Sequence, residues 1–405
     1  PTARIIGAAA PTSAIVRPTP LPTATPQPTL APDSAAAVPF AQPLTGPGGL
    51  PYPLRLSHLN YGAVGHFYYT DRDSAFTMAQ QGGFGWIRQQ VHWRDIEDES
   101  GAYYWDDLDN IVAEANDHGL LVLLSVVRSP AWHTNDGSDG MPDDPAALAR
   151  FLTALVQHYQ GQIHAIEVWN EQNLAHENGG NITLDDAGHY VELLAAAYQA
   201  IKAVDPAVIV VAGAPASTAT DIPTVAVPDI PYLEAMYSYR GGMIRDYFDV
   251  QALHPVSTAN PPDTLWPDNP HTGTGWNEHE TFYFRHIENG RRVMEEAGLG
   301  RHQVWLTEFG WATANNSPGY EYGNQISQEM QRDYIVRSME LTYEEYPWVS
   351  NMFVWNLNFS AVQREYGVDP LHEQGSFSIV NEDWTPRPAY LGMQAFIQQH
   401  SAPQN

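Results

Sequence analysis

AIEVWNEQN, residues 165–173, is an apolar run that ends with an amide and a carboxylate standing side by side. The run has the length of a buried strand, so Asn170 and Glu171 are expected at its carboxyl end. If Glu171 only closed a strand, nothing elsewhere should answer it. QVWLTEFGW, residues 303–311, does answer it: another apolar run ends in a carboxylate, Glu308, with Trp or Phe within two residues.

The same grammar repeats outward from these two runs. Apolar or β-branched stretches occupy 54–62, 85–93, 120–127, 165–173, 208–213, 248–256, 303–311 and 351–359, eight in all. Helix-length amphipathic segments lie between them. Leu108, Ile111, Val112 and Ala115 keep helical spacing ahead of Gly119, where a helix should stop. Leu148, Phe151, Leu152, Leu155, Val156 and Tyr159 form a wide apolar stripe. Thr183 and Asp186 have capping-box spacing ahead of HYVELLAAAYQAIKAV, and the first helix, near 73–81, has the weakest pattern. Strands that each lead into a helix imply parallel pairing with right-handed crossovers. Eight such units predict an α/β fold of the (β/α)8 TIM-barrel type. A doubly wound sheet is the competing arrangement, but AGAPAS, 212–217, is too short and wrongly placed to be its glycine-rich phosphate turn.

The first fifty residues differ from the rest, holding 11 of the 32 prolines, no Trp and one acidic residue, Asp33. PTPLPTATPQPTLAP, 18–32, fixes φ, removes backbone donors and offers no apolar face to bury. Residues 1–50 are therefore expected to be a disordered Pro/Thr-rich linker, and 51–405 a single catalytic barrel. The chain begins at Pro1, and stalks of this composition follow export signals or lipid anchors, so a secreted or surface-tethered protein is expected. The absence of Cys excludes a disulfide scaffold and thiol catalysis, and no apolar run is long enough to span a membrane. With 47 acidic against 19 basic residues the net charge is −28, which argues against a nucleic-acid partner and suits a neutral substrate.

In a barrel the reactive groups sit at the carboxyl ends of strands. There the sequence places His58 and Asn60, Arg88 and His92, Ser129 with Trp132 and His133, Asn170 and Glu171, His254, Glu308 and Trp311, and Trp355, Asn356 and Asn358. Two carboxylates flanking a glycosidic bond are what its hydrolysis needs. One, protonated, assists the leaving oxygen, and the other, ionised, attacks or activates water. For a lone Glu, a structural strand-end residue is the simpler reading. For Glu171 and Glu308 together, each beside rings that can stack on sugar faces, the catalytic reading is stronger. No HExxH motif or two-His, one-carboxylate cluster is evident, so no metal and no cofactor are expected, and His58, His92 and His133 suit sugar hydroxyls better than zinc. NDGSDGMPDD, 135–144, lacks EF-hand spacing and is expected to be a solvated loop.

WNEQN and WLTEFGW resemble the acid/base and nucleophile motifs of retaining glycoside hydrolases of clan A. Family 39 is the most similar and family 5, with its cellulases, is next. GFGWIRQQVHWRDIEDESGAYYWDDLD, 83–109, and SPAWH, 129–133, support the likeness, which runs over 54–398 in element order. It implies Glu171 as general acid/base, Glu308 as nucleophile, Asn170 as donor to the sugar 2-hydroxyl, and Arg88 as the partner that keeps Glu308 ionised with a low pKa. Trp355 would floor the sugar site, with a non-proline cis peptide at Trp355–Asn356, and His254 matches the sixth-strand His. Trp132, His133 and Trp311 are further candidate sugar contacts. The clan commonly has Tyr two residues after that His, where this chain has Val256; Tyr283, Tyr320 and Tyr322 are candidates to replace it.

The insertion from Trp266 to Trp276 is expected to wall a subsite. The chain ends at Asn405 just after its last helix, leaving no room for the β-sandwich of family 39 xylosidases. The expectation is a monomer with an open cleft, cleaving internal β-linkages of a neutral glucan, xylan or mannan. An exo-acting β-xylosidase or β-glucosidase, and an inactive carbohydrate-binding barrel, are the alternatives.

Overall fold

The computed structural model describes residues 59–268, 278–369 and 371–400. The linker expected over 1–50, His58, and residues 269–276 of the insertion after the sixth strand lie outside the described residues.

Strands and helices alternate from the first described residues onward. The first half runs β1 (Asn60–Val64), α1 (Arg72–Gln81), β2 (Trp86–His92), α2 (Asp106–Asp117), β3 (Leu121–Val127), α3 (Pro145–His158), β4 (Ala165–Val168) and α4 (Asp186–Val204). The second half runs β5 (Ile209–Ala212), α5 (Asp229–Ser238), β6 (Val250–Leu253), α6 (Ile287–Glu296), β7 (Gln303–Phe309), α7 (Gln328–Glu345) and β8 (Val349–Val354). Three further helices follow: α8 (Phe359–Glu365), α9 (Glu373–Phe377) and α10 (Pro388–His400). Each strand pairs in parallel with the next, and β1 pairs with β8, so the barrel is closed as expected. Gly62 lies opposite Phe353 at this closure, and a Cβ on Gly62 would meet the Phe353 ring at 2.3 Å; only glycine allows the close approach.

The strands are buried on both faces, which is why their sequences are nearly continuous apolar runs and not alternating ones. One core lies between strands and helices, where Leu148, Phe151, Leu152, Leu155 and Val156 of α3 are fully packed. Truncating one of these, as in Leu152→Ala, removes about 2–5 kcal/mol. A second, smaller core fills the barrel, with Trp86, Leu123, Ala165, Val211, Ala252, Trp305 and Phe353.

Local signals account for the helix ends. Gly119 takes φ +71° after α2, and Asp144 caps α3 by accepting from Ala146 N at 2.9 Å. The weak first helix forms because Asp71 accepts from Ser74 N at 3.1 Å. The capping box at α4 is only half made. Asp186 reaches back to Thr183 N at 2.7 Å, but the Thr183 hydroxyl also donates to Asp186 and caps no backbone N–H. α10 closes the outer ring against α1, with Tyr390 Oη donating to Met78 O at 2.9 Å.

Candidate active site

The strands stop short of the reactive residues. β4 ends at Val168, and Trp169 and Glu171 then take φ +68° and +49°, a turn that lifts Glu171 off the strand to the barrel mouth. Such φ values are uncommon for residues with a side chain and cost of order 1–3 kcal/mol each, so packing must hold this turn in place. Glu171 N donates to Ala214 O at 2.8 Å, and the Trp169 indole donates to Glu177 O at 3.1 Å. Opposite, Gly310 lets the end of β7 press on β8: a Cβ there would sit 2.4 Å from Trp355 O. The expected cis peptide at Trp355–Asn356 is present.

Glu171, His254 and Glu308 converge, with one ligand-type atom from each within 4.8 Å of the others. They line one cleft together with Trp355, Tyr320 and Tyr322. The two tyrosines therefore stand where the missing sixth-strand Tyr was expected to be replaced. Tyr283 is 1 % exposed and is not part of this lining.

Arg88 organises the pair from inside the barrel. Its Nη1 donates to Glu308 Oε1, its Nε to Glu167 Oε2 and its Nη2 to Asn170 Oδ1, each at 2.7 Å. Arg88 is fully buried and bonds Glu308, the partner that the resemblance implies for it. Asn170 spends its carbonyl oxygen on Arg88, so its amide nitrogen remains a donor.

Glu167 and Thr307 carry no role in the sequence reading, yet both are fully buried in this layer, and Thr307 Oγ1 donates to Glu167 Oε1 at 2.9 Å. The signal was present: Arg88, Ser125, Glu167, Gln251 and Thr307 are polar residues inside otherwise apolar strands. A polar side chain within a doubly buried strand needs a partner: Arg88, Ser125, Glu167 and Thr307 bond one another, while Gln251 accepts from the Tyr237 hydroxyl and donates to Ala252 O.

Three expected contacts sit elsewhere. Trp311 is fully buried, stacks on Phe284, and donates from its indole to Asn260 O at 2.9 Å. β7 has ended at Phe309, and the turn through Gly310 sends Trp311 into the core, so it is a packing residue and not a sugar contact. His133 bonds Glu97 at 3.2 Å and stacks on Trp93, while Trp132 stays 42 % exposed on the loop after β3; neither lines the cleft around Glu171. The 135–144 loop is tied down by arginines, Asp139 pairing with both Arg94 and Arg128.

Electrostatics separates the two carboxyls. Burial, with Glu177 adding to it, pushes Glu171 up to about 8. Burial raises Glu308 as well, which corrects the low pKa expected from Arg88: the guanidinium is shared with Glu167, and desolvation outweighs it. A proton shared by the pair still settles on Glu171, because Arg88 bonds Glu308 and not Glu171. His254 is lowered by burial and is neutral. The Glu171, His254 and Glu308 donor set could in principle hold a divalent cation, but that cation would share Glu308 with the Arg88 guanidinium at 2.7 Å, an unfavourable pairing of like charges. Among the described residues no helix is long and apolar enough to cross a membrane.

Known proteins agree with this architecture. The cellulase (glycosyl hydrolase family 5) profile matches residues 55–344. No curated protein matches the chain. Among solved structures, a family 39 glycoside hydrolase from the gut symbiont Bacteroides cellulosilyticus WH2 is 20 % identical with a TM-score of 0.57, over 84 % of this chain and 64 % of its own length. A family 5 enzyme from Streptomyces cattleya, in complex with GlcNAc, is 16 % identical with a TM-score of 0.59, over 86 % of this chain and 82 % of that one. Xylanase A of P. fluorescens subsp. cellulosa, in complex with xylopentaose, is 13 % identical with a TM-score of 0.56, over 85 % and 98 %. At these identities the likeness is one of fold. The expected clan is the right one, and within it the profile match falls on family 5, the second of the two families that the motifs resemble: the chain belongs to the cellulase family, glycosyl hydrolase family 5, and is a glycosidase.

Proposed function

We propose that the protein hydrolyses β-linkages of a neutral polysaccharide by double displacement with retention, Glu308 attacking the anomeric carbon and Glu171 protonating the leaving oxygen. The observation that carries this reading is the approach of the two carboxyls, whose nearest donor atoms lie within 4.8 Å. Retaining pairs are about 5–5.5 Å apart, whereas an inverting pair needs roughly 6.5–9.5 Å to admit water. Glu171 Oε2 has no hydrogen-bond partner among the described residues, which leaves it for a leaving-group oxygen. Once Glu308 is esterified, its charge is gone and Glu171 becomes the base that takes a proton from water.

Endo action is supported by aromatic side chains spread over the βα loops. Tyr69, Tyr104 and Trp132 follow β1, β2 and β3, Tyr366 stands at the end of α8, and each is at least 42 % exposed. Rings so placed suit stacking on sugars beyond the cleaved bond. The net charge of −28 disfavours a polyanionic glycan, and the fold neighbour bound to xylopentaose is consistent with a xylan-type chain. The enzyme is read as a monomer, secreted or tethered at the cell surface through its Pro/Thr-rich amino-terminal segment.

Two variants test the roles. Glu171→Ala should abolish polysaccharide hydrolysis yet still form a glycosyl-enzyme from an aryl β-glycoside with a good leaving group, and azide should discharge it with retained configuration. Glu308→Ala with azide should give the inverted product. The same azide stereochemistry from both variants sinks the assignment.

A further inference from the structure

The hydrogen bonds around His254 have only one consistent direction, and it starts at Arg88. The guanidinium donates to Glu167 Oε2 at 2.7 Å, and a carboxylate paired in this way with a guanidinium acts only as an acceptor. Thr307 Oγ1, 2.9 Å from Glu167 Oε1, therefore aims its hydrogen at that oxygen and offers a lone pair to its other neighbour, His254 Nε2, also at 2.9 Å. A ring nitrogen facing a lone pair must carry the hydrogen. A neutral imidazole has one N–H, so Nδ1 is an acceptor, and Glu171 Oε1 lies 3.2 Å from it. Only a protonated carboxyl can donate there.

We propose that Glu167 and Thr307 are positioning residues that lock His254 in its Nε2–H tautomer, so that Nδ1 accepts a hydrogen bond from Glu171 and keeps it in the acid form. The proposal rests on the reading of Glu171 as acid/base. When Glu171 gives its proton to the leaving oxygen, the resulting carboxylate faces the Nδ1 lone pair. That repulsion favours taking a proton back from water in the second step.

Other groups face this pair from neighbouring elements. Arg88 from β2, Glu167 from β4, Glu177 and His176 from the segment after β4, and Glu308 from β7 all act on Glu171 or His254, and Tyr320 faces both carboxyls from the loop after β7. His254 Nδ1 is also 3.9 Å from Glu308 Oε2. These charges bias how readily Glu171 ionises, but among the described residues Thr307 is the one group bonded to Nε2 and so selects the tautomer.

The test uses the full chain labelled with nitrogen-15 histidine and carbon-13 glutamate. His254 and Glu171 signals are assigned from His254→Gln and Glu171→Gln. Long-range proton–nitrogen correlations near neutral pH should show His254 protonated at Nε2 and bare at Nδ1. Thr307→Val, which keeps the shape and removes the hydroxyl, should free the ring to carry Nδ1–H and donate to ionised Glu171. The Glu171 titration midpoint should then fall by about one pH unit. Thr307→Ser should restore both signals. A wild-type His254 that carries Nδ1–H, or a Thr307→Val protein with unchanged tautomer and midpoint, overturns the proposal. Should Thr307→Val fail to fold, the wild-type tautomer and the Thr307→Ser spectrum still decide. Failure to hydrolyse any glycoside would sink the proposed activity while the spectra continue to report on the tautomer.

Discussion

Arg88 Nη1 donates to Glu308 Oε1 at 2.7 Å, joining β2 to β7 across the barrel. The same guanidinium holds Glu167 and Asn170, so one fully buried cation sets the position of a carboxylate on each of two strands. The expected outcome of Arg88→Lys follows from geometry. An ammonium carries the charge but cannot bond all three partners in one plane, and at least one carboxylate is left buried and unpaired. Chemical denaturation should show a loss of about 3–5 kcal/mol, and kcat should fall while the remaining folded enzyme still binds substrate.

The pH–rate profile should lose its alkaline side near the Glu171 value of about 8, since the acid must be protonated. Glu308 must be ionised, and because burial raises it, the acidic limb should lie above the ordinary carboxylate range. Initial rates on a soluble β-glycan across pH check both limbs; an alkaline limb at ordinary carboxylate pH would refute the assignment.

Stability should carry the same signature. Folded Glu171 keeps its proton up to about 8, whereas the unfolded chain releases it near 4.5, so across that window the folded state binds the extra proton and wild-type stability falls as pH rises. Glu171→Gln removes this dependence. Its advantage over wild type should grow by roughly 2–4 kcal/mol between the two ends of the window, measured by urea denaturation. An advantage that does not change with pH would mean that Glu171 ionises freely.

Trp311 and Trp132 should separate packing from binding. Trp311→Ala empties a fully buried site and should cost about 3–5 kcal/mol of stability. Trp132→Ala, at an exposed position, should leave stability nearly unchanged and raise KM on a polysaccharide more than on a short aryl glycoside. Thermal melts and paired kinetics distinguish the two outcomes.

Tyr320→Phe keeps the ring and removes the hydroxyl from the cleft that Glu171 and Glu308 share. If the hydroxyl replaces the missing sixth-strand Tyr, kcat/KM should drop by roughly 10–100-fold, the scale of losing a hydrogen bond to a charged group, with little change in melting temperature. An unaltered kcat/KM would assign that part to Tyr322.

The sequence by itself determined the order of strands and helices, because doubly buried strands and amphipathic helices leave different apolar periods in the chain. It also marked Glu171, Glu308, His254 and Trp355 as candidates, which the structure brings to one cleft, since a polar or aromatic residue at the end of a strand is legible once the strand is. Glu167 and Thr307 were not legible as partners. Each is one polar residue in a short strand, and their strands meet only when the barrel closes, 140 residues apart in sequence. Trp311 stood at the right place in the chain, but the turn at Gly310 sent it inward, and that direction depends on backbone angles the sequence does not display. The raised pKa of Glu308 was likewise decided by tertiary structure: the Arg88–Glu308 pair was readable, while the sharing of Arg88 with Glu167 and the extent of desolvation exist only in the packed barrel, where removal of water sets the strength of every charge.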